Sequence, residues 1–137
     1  MFMAAHSYER ALNLEMASEG ITNRQCQVLA WLAMEGELSQ SELAERMSIE
    51  PPTLVGILDR MERDALLTRE GCAADRRRKI IKPLPRAEAI WKKILACGER
   101  VQARAMQGIP PERAHACKSV LDEIRANLRR DADLKSA

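Results

Sequence analysis

A chain of 137 residues, 46% hydrophobic and 31% charged, is long enough for one globular domain and short for two; at 3% aromatics its core must come from aliphatic side chains, which suits helix packing. The net charge of +2 conceals an asymmetry, with eight acids and three bases in residues 1–50 against twelve acids and nineteen bases in residues 51–137, the bases gathering at 76–86 where an acidic partner would be drawn. The opening MFMAAHSYERAL lacks the apolar core of a signal peptide and no run approaches the roughly 18 apolar residues of a membrane span, so a cytoplasmic protein without membrane contact is expected.

AAHSYERALNLEMA (4–17) reads as a short helix stopped by Gly20. Thr22 followed by Gln25 is a capping box opening a second helix, NRQCQVLAWLAME, which ends before Gly36. Ser39 and Glu42 form a second box at the start of SQSELAERM. After the short turn SIE, PPTLVGILDRMERDAL starts a helix on two prolines, tolerated there because first-turn amides lack intrahelical partners. Leu54, Ile57 or Leu58, and Met61 recur at helical spacing, leaving Thr53, Gly56 and Arg60 on the opposite side. LLTREGC and KIIKPL flank a charged turn and read as a β-hairpin. Two helices complete the chain, 85–107 and 111–130, separated by GIPPE. Ile90, Ile94, Cys97 and Val101 in the first, and Ala114, Cys117, Leu121, Ile124 and Leu128 in the second, follow a period near 3.5 that calls for a partner helix, and a homodimer supplies it most economically.

This order of elements is a winged helix-turn-helix: mostly α with a small β-hairpin, an α+β fold with terminal dimerisation helices. The winged domain spans 21–84 and the dimerisation helices 1–20 and 85–137, in one continuous compact unit. In such an arrangement the first helix of the pair holds the DNA backbone and the second enters a groove. Pro52, Thr53 and Val55 then sit where base edges and thymine methyls are reached, Arg60 lies on the same outward side, and Ser39 and Gln40 are placed to donate to phosphate. The stretch GCAADRRRKIIK would alone be a solvated charged turn. Beside the helix pair it becomes a probe for the duplex: residues two apart in a hairpin share a face, so Asp75 braces Arg77, and a single braced arginine fits a minor groove about 6 Å wide. Arg76, Arg78, Lys79 and Lys82 fall near the flanking phosphates.

ITNRQCQVLAWL, LSQSELAERMSIEPPTLVGILDRMERDALLTRE and CAADRRRKIIK, followed by RAEAIWKKI, resemble the MarR family of bacterial regulators and within it the SlyA-like branch, from about Ile21 to Glu88. The resemblance implies a homodimeric regulator on a pseudo-palindromic double-stranded DNA site, a repressor or counter-silencer, released by small aromatic acids or in some branches by cysteine oxidation. It also implies an effector pocket between the terminal helices and the winged domain, with His6, Arg10, Arg24 and Trp31 as lining candidates. The chain departs from the family at several positions. Gly56 stands where an arginine or polar residue is usual, Cys26 where an aromatic is usual, and Ala65 where a glycine usually caps the recognition helix in a left-handed conformation. Pro83 and Leu84 replace the residues that end the wing, so Pro85 starts the next helix.

Cys26, Cys72, Cys97 and Cys117 lie 20 to 46 residues apart with no CxxC pair, which argues against zinc, and Cys26, Cys97 and Cys117 read as core or seam filler. Cys72, beside the cationic turn, is the candidate for a redox-active thiolate. His115 and Cys117, two apart on a helix, cannot face one metal, so neither metal nor cofactor is expected. An enzyme is excluded because no nucleophile–base pair, catalytic carboxylate pair or phosphate loop appears. A second reading, from a different class, is a helical interaction module whose basic wing binds an acidic protein partner.

Overall fold

The computed structural model describes the backbone of residues 2–71 and 78–136 and the side chains of residues 2–71 and 78–128. Helix α1 (Phe2–Ser18) begins two residues before the predicted stretch, and Gly20 at φ 72° turns the chain so that Ile21 donates back to Met16 at 3.0 Å. Helix α2 (Asn23–Glu35) carries the expected capping box: Gln25 N–H donates to the Thr22 hydroxyl and Thr22 N–H to the Gln25 amide oxygen. Strand β1 (Leu38–Ser39) leads directly into α3 (Gln40–Arg46), then α4 (Pro51–Arg63), β2 (Leu67–Gly71), β3 (Lys79–Pro83), α5 (Pro85–Ala105) and α6 (Pro111–Ser136).

The sheet has one strand more than the hairpin. Its antiparallel order is β1-β3-β2, with Leu38 opposite Ile81 and, on the other side, Arg69 opposite the same Ile81. Two residues of β1 offer too little pattern to be read from sequence, and their pairing partner lies some forty residues away.

The residues fall into two compact units, 1–101 and 102–137. In the first, Val28, Leu43, Leu54, Leu58, Leu67 and Ile81 are fully buried, so one aliphatic core joins α2, the helix pair and the sheet. Each such side chain contributes about 1.5–3 kcal/mol on burial. The second unit comprises the end of α5 and α6, joined through Gly108 at φ 76° and opened by Pro111. Among the described residues no helix is long and apolar enough to cross a membrane.

Candidate nucleic-acid interface

Helix α4 starts on Pro51 and Pro52 with Glu50 as an N-cap that makes no side-chain cap bond. Leu54, Ile57, Leu58 and Met61 are buried, which turns Pro52, Thr53 and Arg60 outward and leaves Val55 and Gly56 half-buried. The helix pair is locked behind this face by α3. Here one expectation is corrected: Ser39 is only 3% exposed, its hydroxyl donates to Glu42 Oε2 at 2.6 Å and accepts Glu42 N–H at 3.2 Å. It is a buried cap and has no hydroxyl to offer a phosphate. Gln40, the first residue of α3, remains half-buried at the surface.

The wing rises from β2 and β3. Cys72, Asp75, Arg76 and Arg77 lie outside the described residues, so the bracing of Arg77 by Asp75 does too. At its foot, Arg78 Nη2 meets Glu42 Oε1 at 2.7 Å. Lys82, on the central strand, reaches Glu70 of β2 at 2.9 Å and Glu37, just before β1, at 3.5 Å, spanning the width of the sheet. Lys79 and Arg60 are exposed and form no ion pair among the described residues. The Ser39 hydroxyl and N–H, and then Arg78, hold the Glu42 carboxyl at about 2, well below its ordinary 4.5. Glu70, then Glu37, push the Lys82 ammonium up.

Nothing in the sequence marks these acids as partners of the wing cations. Glu42 was legible as a capping residue, but its second partner stands 36 residues on, where no local spacing points. Arg69 carries no local signal either; from β2 it reaches Asp59 and Glu62 of α4, fixing the wing's first strand to the helix that faces outward.

A MarR family model matches residues 19–78. The crystal structure of the transcriptional regulator PA3341 is 30% identical, covering 93% of this chain and 94% of that chain at a TM-score of 0.76. The chain belongs to the MarR family. It is accordingly a DNA-binding transcriptional regulator and not an enzyme. The YusO protein from Bacillus subtilis is 25% identical, with 88% and 86% covered and a TM-score of 0.71. A mutant MarR from E. coli, crystallised in complex with operator DNA, shares the fold at 19% identity, 90% and 89% coverage and a TM-score of 0.74.

In this MarR-family chain the four effector candidates are not brought together. His6 and Arg10 line one groove of about 370 Å³ along α1 with Glu9, Asn13 and Leu14. Arg24 is exposed and donates to Gln27 at 2.9 Å, while Trp31 is half-buried against the core; neither lines that groove. Asn13 Oδ1 is buried there with no hydrogen-bond partner among the described residues. A second groove of about 370 Å³, between α2 and the β3–α5 junction, is lined mainly by Leu29, Leu32, Pro83, Leu84 and Trp91, residues brought together from two distant stretches of the chain.

Of the cysteines, Cys97 is buried as expected and Cys26 packs half-buried against the core, where burial pushes its thiol up and away from reactivity. Cys117 is exposed, not buried. It shares that exposure with Leu121 at 44% and Leu128 at 64%, its companions on the α6 seam.

Proposed function

We propose that this MarR-family regulator acts as a homodimer on a pseudo-palindromic operator, with the start of α4 at base edges and each wing at the flanking minor groove. The observation that carries the reading is the two-sided character of α4. Its inner side is buried in the core, and its outer side presents Pro52, Thr53 and Arg60, with Lys79 exposed on the neighbouring wing. The winged fold it shares with a MarR crystallised on operator DNA supports the same docking.

Exposed Leu121 and Leu128 on α6 support pairing of the terminal helices between two copies, since a solvent-facing apolar seam is costly in a lone chain. The DRR-bearing wing motif supports a place in the SlyA-like branch. For release, we favour a small aromatic or anionic effector: the His6–Arg10 groove offers the Arg10 guanidinium to an anionic group.

Footprinting upstream DNA with purified protein tests the reading. A protected inverted repeat, bound with an affinity that falls steeply with salt, is expected because each neutralised phosphate releases counterions. No protection, or a near-zero slope of log affinity against log salt, sinks it and favours an acidic protein partner for the wing.

A further inference from the structure

Glu42 has two partners. Its Oε2 accepts the Ser39 N–H at 2.8 Å and the Ser39 hydroxyl at 2.6 Å, completing the cap of α3. Its Oε1 accepts Arg78 Nη2 at 2.7 Å, across to the foot of the wing. The cap alone does not require a charge. At the start of α2 the neutral amide of Gln25 does the same work, accepting Thr22 N–H at 2.9 Å. What distinguishes the carboxylate at position 42 is therefore the cation it holds.

We propose that Glu42 is a specificity-determining residue that competes with DNA phosphate for Arg78. The inference rests on the reading that the wing contacts DNA. An arginine already neutralised by a carboxylate exchanges one anion for another when it meets a phosphate, so its net gain is small. The carboxylate it leaves then stands beside a polyanion and repels it. A scrambled duplex, held by phosphate contacts alone, needs Arg78 and meets both effects in full, whereas an operator held also by base contacts is bound with the Glu42–Arg78 pair left in place. Lys79, the next residue along, is exposed and without an ion pair among the described residues, and serves as the internal comparison.

The test measures binding of the full chain to a scrambled-sequence duplex and to the footprinted operator across a salt series. Glu42→Gln keeps the capping chemistry seen at Gln25 and removes the carboxylate charge from beside Arg78. It should tighten scrambled-duplex binding by about three- to tenfold at low salt and steepen the log–log salt slope by about 0.9, the value of one further neutralised phosphate. Operator affinity should rise less, so discrimination narrows. Arg78→Gln should weaken scrambled-duplex binding less than Lys79→Gln does, a comparison that holds even if Glu42→Gln folds poorly. An unchanged slope in Glu42→Gln, or an Arg78→Gln loss equal to that of Lys79→Gln, overturns the inference while wild-type binding still upholds the wing reading. A wild-type chain that binds no duplex overturns both.

Discussion

Arg69 grips Glu62 at three points: Nη2 and Nε donate to Oε2 at 2.6 and 3.2 Å, and the Arg69 backbone N–H donates to Oε1 at 3.1 Å. The same guanidinium also meets Asp59 Oδ1 at 2.6 Å. Strand β2 is thereby bolted to α4 through side chain and main chain together. Arg69→Met should cost about 1–2 kcal/mol in urea denaturation, the lower end of charged hydrogen-bond values because both carboxylates are partly solvated. Arg69→Lys should recover little of it, since an ammonium cannot span both acids with a planar fork. Full stability in both variants would remove this role.

Ala65 sits at φ 56° immediately after α4, in the left-handed region where a Cβ is strained, and Leu66 donates back to Met61 at 2.9 Å to close the helix. The cap that glycine usually makes is kept here at the expense of strain. Ala65→Gly should raise stability by about 0.5–1 kcal/mol, read as a higher thermal midpoint. Ser48, at φ 51° in the turn between α3 and α4, should respond in the same direction when replaced by glycine.

Gly56 has the opposite character. It lies inside α4 without a positive φ, and a methyl group there would meet no atom within 4 Å. Gly56→Ala should therefore stabilise the protein by about 1 kcal/mol. A raised urea midpoint at unchanged slope would verify it; a lowered midpoint would mean the site is tighter than it looks.

Acid sensitivity should concentrate on Glu42. Its folded-state value of about 2 lies below the ordinary 4.5, so the fold favours the ionised form. The resulting stability is complete above about pH 4.5 and is lost as pH falls toward 2. Arg69 holds Glu62 below its ordinary value too, adding in the same direction. Acid-unfolding curves of Glu42→Gln should be flatter than wild type across that window, and equal steepness would contradict the assignment.

On the wing, Arg77→Ala should weaken operator binding by about tenfold or more, and Arg77→Lys should restore only part of the loss, because a flat guanidinium suits a narrow groove. Equal operator affinity in wild type and both variants would discard a groove role for Arg77.

Local chemistry was legible in the sequence wherever the partners lie within one turn. Both capping boxes and the proline start of α4 follow from residues three or four apart, the hairpin strands from short β-branched runs, and the left-handed strain at Ala65 from the glycine that the family resemblance places there. Contacts made across the fold were not legible. Strand β1 consists of two residues whose identity as a strand depends on Ile80 and Ile81. Ser39 looked like a surface hydroxyl because nothing nearby announces that β1 is covered. Arg78 and Lys82 looked like uncommitted cations, since Glu42, Glu37 and Glu70 approach them only once the sheet has formed.

Ser39 is at once the last residue of β1 and the N-cap of α3, so no linker separates the sheet from the helix pair. The sheet and α3 must then travel as one stiff piece, with no slack to bend between them. In the proposed dimer, accommodation of operators whose half-sites are set a base pair closer or wider then has to come from outside this junction, and lengthening it by inserted glycines would trade that stiffness for tolerance of irregular spacing.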